Sequence, residues 1–526
     1  MKNKIPLLFF FLSMVTASIY GQQTTDTEKA EPDTIDPGKG DPQQQLKDIK
    51  EKKNETFSDS TANNPKQETS IDTTVYNRYG DLLNDDTAYN KKSPLWIPAA
   101  EVVGVVGLTW AFDKYILKAD YAQVNSETWK SNIKEGWEWD ADKFGINFIG
   151  HPYSGALSFN AGRSLGHNFT TSFGLAVFGS VLWEYFGETT RPSYNDIIST
   201  PISGAFLGEV LYRISSNLLD DRTRGMHRVV REIAAGIVNP VRGINRLFDG
   251  KAYRVTNKEV YQEEPLNISM LAGIQQRNYY DDSELGKGAA NPALNIQLDY
   301  GNAFEIRSRK PFDFFRLRVD LSFGYGRKMI DNVVGYGLLV GKNYGKDKAA
   351  MLFGLFQHYD YWDNYSFEMG ALAIGPGIIT KYPFQALGIE NNLYTNFHLG
   401  IVPLAGKSGD QGVDSNAIVR DYNFGWGGET KLEVALNIGN ITTLSVAGYY
   451  YYLHTYEGVS EKAFLGILKP KIHFTVYRNI KVGYEQTIQY DDSFRSSGVS
   501  NNSVHTEQKA FVLIYLEDKQ RKGRYQ

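Results

Sequence analysis

One run of residues limits this chain more than any other: Phe315-Arg316-Leu317-Arg318-Val319-Asp320-Leu321-Ser322-Phe323-Gly324-Tyr325. Successive side chains of an extended strand point to opposite faces, so this run has an apolar wall (Phe, Leu, Val, Leu, Phe, Tyr) and a polar one (Arg, Arg, Asp, Ser, Gly). A soluble sandwich turns such an apolar wall inward. A transmembrane barrel turns it to lipid and lines its lumen with the charges. The same period recurs in Leu294–Tyr300, in Lys431–Ile438 and in Leu393–Ile401, where it puts His398 on the inner wall. Between 264 and 518 it predicts about twelve strands. That is an even number, which brings both ends of the barrel to one side. Asn440 and Arg478-Asn479 read as short periplasmic turns; 281–292, 404–419 and 494–504 read as longer external loops. The chain has 34 Tyr and 50 Gly, and Tyr279-Tyr280, Tyr359 to Trp362 and Tyr449 to Tyr452 suit interfacial girdles. Inward Arg, Asp, Glu and Tyr fill a barrel of this size, so no wide pore is expected.

The rest of the chain tells where such a barrel resides. Residues 1–21 combine Lys2 and Lys4 with an apolar stretch, Ile5 to Val15, and small residues before Gln22, the pattern of a cleaved export signal. Residues 22–90 are polar and nearly free of aromatics, too poor in apolar surface to offset ordering entropy, and read as a disordered arm. Zero Cys excludes a disulfide scaffold, a thiolate nucleophile and a Cys-based zinc site. A net charge of -4 gives nucleic acid no basic surface. A mean hydropathy of -0.38 is too polar for a helical transporter.

Residues 91–260 have a helical period. The stretch after Pro98, with Glu101 inside it, reads as a buried helix or one lying on a membrane face. Further helices follow, with Pro192 and Pro201 bounding a loop. A basic stretch (Arg213, Arg222, Arg224, Arg228, Arg231, Arg242, Arg246, Lys251, Arg254) reads either as a contact to lipid phosphates at the periplasmic leaflet or as a solvated helical face. The expected fold is therefore an α+β membrane protein: a disordered N-terminal arm, a periplasmic helical domain, an antiparallel transmembrane β-barrel of about twelve strands and a tail at 519–526. The helical domain would plug the periplasmic mouth or lie against the inner leaflet.

Residues 137–209 carry the candidate chemistry. His151 precedes Pro152 at a helix start. Glu184 and Glu188, four apart, share a helix face, and Asp196 follows Pro192, Ser193 and Asn195. Carboxyls held among Leu, Phe and Trp have raised pKa values, so His151, Glu184, Glu188 and Asp196 suit acid–base catalysis or a hard cation. The same residues can simply cap and tie helices, with Ser193 or Asp196 as an N-cap. HExxH, GxSxG and Walker A motifs are absent. The barrel histidines His358, His398, His454, His473 and His505 could serve a Ser-His site, but nothing selects the Ser.

The segments HPYSGA, LWEYFGE and PSYNDIISTPISGAFLGE, set between an export signal and a barrel, resemble the uncharacterised domain-of-unknown-function family 3943 of Bacteroidota envelope proteins. The resemblance covers about 95–250. It implies His151, Pro152, Gly155, Glu184, Glu188, Pro192, Ser193, Asn195, Asp196, Pro201, Gly204, Gly208 and Glu209 as motif positions, and it implies no activity and no cofactor. Two functions follow. One is an envelope-biogenesis, scaffold or transport component. The other is an enzyme acting on outer-membrane lipid or lipopolysaccharide. Protein partners are not specified by the sequence.

Overall fold

A computed structural model of the chain describes residues 92–516, apart from 141, 256–260, 262–263, 278–289, 306–308, 325–328, 346–348, 365, 387, 409–421, 497 and 499. The export signal, the arm and the tail lie outside the described residues, as does much of the loops expected at 281–292 and 404–419.

Among the described residues, seven α-helices precede the strands: α1 Trp96–Phe112, α2 Ser126–Lys134, α3 His151–Ser164, α4 Phe169–Phe186, α5 Tyr194–Leu218, α6 Gly225–Val238 and α7 Pro240–Phe248. Polar side chains satisfy the free N–H groups at several starts. Asn125 accepts from Thr128 N–H to cap α2, Asn168 accepts from Thr171 N–H to cap α4, and Asn239 accepts from Arg242 N–H ahead of Pro240 in α7. Ser193, not Asp196, caps α5. The loop expected up to Pro201 is shorter than predicted, because α5 starts at Tyr194 and continues through Pro201. An interior proline costs a helix about 3 kcal/mol, and packing against α3 overrides that preference here. That packing is close: a Cβ on Gly155 of α3 would overlap the Thr200 carbonyl oxygen of α5, and one on Gly204 would overlap Gly155 itself. No described helix is long and apolar enough to cross a membrane.

The strands are β1 Leu266–Arg277, β2 Ala290–Tyr300, β3 Phe315–Ser322, β4 Ile330–Tyr344, β5 Ala350–Asp363, β6 Glu368–Ala386, β7 Ile389–Ser408, β8 Tyr422–Ile438, β9 Thr442–Glu457, β10 Glu461–Tyr477, β11 Ile480–Arg495 and β12 Ser500–Leu516. Each pairs antiparallel with its sequence neighbours, and β1 pairs with β12, closing a twelve-stranded barrel. The chain enters at Leu266 and leaves at Leu516 on one end, here called the terminal end. The connections 278–289 and 409–421 lie at the other, here called the long-loop end, whereas 301–314 lies at the terminal end.

The alternation read from the sequence sorts the two walls. Arg316, Arg318, Asp320 and His398 point into the lumen and meet side chains across it. Arg316 and Arg318 of β3 pair with Glu433 of β8; Lys469 of β10 reaches Asp320 of β3 at 3.1 Å; Lys431 of β8 reaches Asp360 of β5 at 2.6 Å. Trp362 of β5 donates to Tyr451 of β9 at 3.1 Å. These pairs join strands that are not neighbours, so side chains bridge the bore.

The apolar wall faces out, and helices cover part of it. Phe315, Leu317, Tyr359, Tyr361, Leu372, Leu404, Tyr422 and Phe424 form one core with Phe144, Phe148, Phe206 and Val210 of the helical domain. Glycines provide the seats. Phe206 lies over Gly335, Phe312 over Gly337, and Phe148 over Gly370 and Gly406, where any side chain would collide with the ring. Gln357 donates to the Ile202 carbonyl of α5 at 2.7 Å. The start of α5 lies at the long-loop end, where Trp139 contacts Tyr194, Phe424 and Tyr456. Its finish lies at the terminal end, where Asn217 donates to the Glu264 carbonyl. Of the two placements expected, the plug is therefore excluded. The helical domain crosses the outer face of the barrel wall.

Candidate functional site

The site follows from the α3–α5 crossing. His151 lies one helical turn before Gly155; Thr200 and Asp196 lie one and two turns before Gly204. Bringing the two glycines into contact sets His151 against the polar edge of α5. His151 Nδ1 is 3.3 Å from Thr200 Oγ1, and its Nε2 is 3.6 Å from Asp196 Oδ1. The same Nε2 is 3.7 Å from Asp142 Oδ2, supplied by the segment before α3. A widened helical turn, Ile146–Gly150, joins that segment to α3.

A second layer fixes these groups. Asp140 accepts from Asn195 at 2.9 Å and from Asn147 at 2.9 Å. Asn147 also donates to the Tyr422 hydroxyl, so the first residue of β8 braces the site. Glu184 accepts from Ser193 N–H at 2.7 Å, and Ser180 donates to the Asp196 carbonyl at 3.1 Å. Glu188, past the end of α4, accepts from Thr190 at 2.9 Å. Asp196 Oδ1 is buried and has no hydrogen-bond partner.

One imidazole thus faces Asp140, Asp142, Glu184, Glu188 and Asp196, and the protonation states adjust. Burial opposes charge on His151, but Asp142, Glu184 and Glu188 outweigh it and raise its pKa to about 9. Burial and the Asp142 charge raise Glu188 to about 7. Burial, then the charges of Glu188 and Asp196, push Glu184 well up. Burial and the Asp140 carboxylate push Asp196 well up; burial acts the same way on Asp140, but hydrogen bonds led by that from Asp196 hold it below its usual range. The proton of this pair therefore stays on Asp196. Near neutral pH the cluster holds a cationic imidazole, a neutral buried acid and a carboxyl titrating close to 7. These are the components of proton transfer to or from a substrate. Alternatively, Asp140, Asp142 and His151 offer ligand atoms within 4.8 Å of one another, a set that suits a divalent cation once His151 loses its proton.

All four residues singled out for catalysis join this cluster, with Ser193 and Asn195 supporting it. Pro192 passes its carbonyl to Glu138 N–H at 2.9 Å, a bridge that helps hold the segment before α3. Glu209 does not join. It takes Arg163 at 2.7 Å and Arg213 at 2.8 Å, and those two cations lower its pKa against the effect of burial. Arg213 goes on to the Pro311 carbonyl at 3.0 Å, so Glu209 ties α3 and α5 to the barrel. Asp140, Asp142 and Thr200 were missed as site residues. The one signal for them is the Asp-x-Asp pair nine residues before His151, and loop residues carry no period to place it. In the barrel, His505 Nδ1 meets Ser366 Oγ at 2.9 Å, with Gln489 as the other neighbour of that hydroxyl at 3.1 Å.

The basic stretch 213–254 divides: Arg213, Arg228, Arg242, Arg246 and Lys251 are buried, Arg231 is half-buried, and Arg222, Arg224 and Arg254 are exposed. Arg228 and Arg246 turn inward to Asp221 and Glu232 at 2.7–2.8 Å.

Residues 136–241 match the family model described as Domain of unknown function (DUF3943), within the 95–250 span of the motif resemblance. No curated protein matches the chain. Among solved structures, the NanC porin is 12% identical, with 47% of this chain and all of that one (100%) covered at a TM-score of 0.24. The outer membrane channel DcaP of Acinetobacter baumannii is 8% identical, with 48% and 96% covered at 0.21. OmpT of Vibrio cholerae is 9% identical, with 48% and 98% covered at 0.18.

Proposed function

We propose that this is an outer-membrane protein whose barrel anchors and braces a helical domain, and that the domain acts on lipid or lipopolysaccharide through acid–base chemistry at His151, Asp196 and Glu188. The observation that carries the proposal is the convergence of His151 with Asp142 and Asp196 within 3.7 Å, on the outer side of the barrel wall. A group held there meets the membrane phase rather than the lumen. Trp129, Phe186 and Tyr194, all partly exposed, surround the site with the aromatic side chains that favour a membrane interface. With the termini in the periplasm, the long-loop end is external, and the substrate is then an outer-leaflet lipid. The bridged lumen weighs against transport.

The scaffold reading has one observation in its favour: Ser193 and Glu184 also cap and bind the start of α5. Lipids extracted from a deletion strain complemented with wild type, His151→Ala or Glu188→Gln separate the two. Changed lipid species with normal heat-modifiable gel mobility support the enzyme. Unchanged lipids with lost heat-modifiability leave these residues a structural role.

A further inference from the structure

Helix α6 has its amphipathic character turned inside out. Met226, Val229, Val230, Ile233 and Ile237 form one stripe, and they are 75, 49, 57, 52 and 49% exposed. The opposite face holds the charges. Arg228, 6% exposed, pairs with Asp221 and Glu232, both at 2.8 Å, and donates to the Asp220 and Lys251 carbonyls at 2.8 Å. Arg246 of α7 joins the same acids, and Arg231 donates to the Leu218 carbonyl at 3.0 Å. A helix bathed in water has no reason to bury its ion pairs and expose five large apolar side chains; a helix against acyl chains has both reasons. Leu247, Phe248 and Tyr253, at 53, 87 and 69% exposure, add to the uncovered apolar surface.

The fold shows what covers it. Arg231 ties α6 to the finish of α5, and Asn217 ties that finish to Glu264, two residues before β1. The stripe therefore belongs to the terminal end of the barrel. There the outward residues Met270 of β1 and Ile514 and Leu516 of β12 present an exposed apolar belt. Arg224 is exposed at the start of α6, a cationic neighbour suited to headgroup phosphates. We infer that α6 lies in the membrane leaflet at the terminal end of the barrel, with its apolar stripe among the acyl chains and its ion pairs facing the protein. The inference rests on the outer-membrane reading and goes beyond it, since it gives the helical domain a lipid contact of its own, separate from the His151 cluster.

The chain has no cysteine, so single labels are clean. Full-length protein carrying Ile233→Cys, Val512→Cys or Ser500→Cys, labelled with an environment-sensitive fluorophore, is reconstituted into phosphatidylcholine–phosphatidylglycerol vesicles containing doxyl-phospholipid. Position 512 samples the barrel belt and position 500 the long-loop end. Position 233 is exposed, so its label needs no repacking. The expected result is quenching at 233 comparable to that at 512 and several-fold above that at 500. Quenching at 512 with 233 at the level of 500 overturns the inference and leaves the membrane barrel standing. No quenching at 512 removes the outer-membrane reading and the inference with it. A shielded but unquenched label at 233 whose signal depends on protein density assigns the stripe to a second copy, and also overturns the inference.

Discussion

In the barrel lumen, the buried cations named above meet acids across the bore: Arg316 and Arg318 with Glu433, Lys469 with Asp320, Lys431 with Asp360. Around His151 the proportions differ. A single imidazole serves Asp140, Asp142, Glu184, Glu188 and Asp196, and burial with neighbouring charge pushes Glu184 and Asp196 toward their protonated forms. Cations and acids that meet across the bore fix one arrangement. Unmatched burial leaves protons that can move, which is the property a reactive site needs and a structural tie does not.

The sharpest test of this contrast is Glu433→Ala. It takes from Arg318 its carboxylate partner and leaves Arg316 with Asp299 alone, and loss of one partner from a buried pair costs about 3–5 kcal/mol. The unfolding midpoint in denaturant should drop accordingly. Gly155→Val attacks the scaffold of the other region. It forces α3 off α5 at the Thr200 carbonyl and should cost about 1–3 kcal/mol, the usual range for overpacking, with loss of any activity. Tryptophan fluorescence during unfolding follows it.

The pH dependence separates the regions further. His151 is raised from 6.5 to about 9 in the folded protein, so its contribution to stability is complete below pH 6.5 and fades as pH rises through 9. Glu188 is raised from 4.5 to about 7, so the folded form is favoured most below pH 4.5 and loses that advantage as pH rises through 7. Both signs agree. Unfolding monitored from pH 5 to 9.5 should show falling stability, with the lower part of the slope removed by Glu188→Gln and the upper part by His151→Asn.

Asp196→Asn should change stability by less than about 0.5 kcal/mol, because Asp196 already carries a proton and asparagine keeps its shape. It should nonetheless abolish the lipid phenotype, whereas a structural Asp196 would show no such split. The smallest effect is expected for Asp142→Asn. Its side chain is 43% exposed, so the midpoint should hardly move, while the upper limb of the pH profile shifts to lower pH as His151 loses its partner.

Much of this architecture was legible because period-two alternation is a direct record of facing. Arg316, Arg318 and His398 are where that period put them. What alternation does not record is the occupant of the outer side. Phe315 and Leu317 have the same pattern whether lipid or a helix covers them, so the docking of the helical domain on the wall was invisible. The basic stretch misled for a related reason: an arginine on a helix gives no sign of whether it points inward, and Arg228 and Arg246 point to buried acids. His151, Glu184, Glu188 and Asp196 were readable as polar groups in apolar helices. Asp140 and Asp142 lie between elements, without a period to place them.

The contact between Asn147 and Tyr422 spans 275 residues of chain, and the glycine seats on β4, β6 and β7 are likewise far downstream of the rings that fill them. In kinetic terms the helical domain is made early and finds its partner late. Until β4 exists Phe206 has no wall to cover, and until β6 and β7 exist Phe148 has none; a barrel that closes first leaves an unfilled furrow along its side. Docking and closure must therefore be timed to each other. A delay in either leaves large aromatic surface open to aggregation.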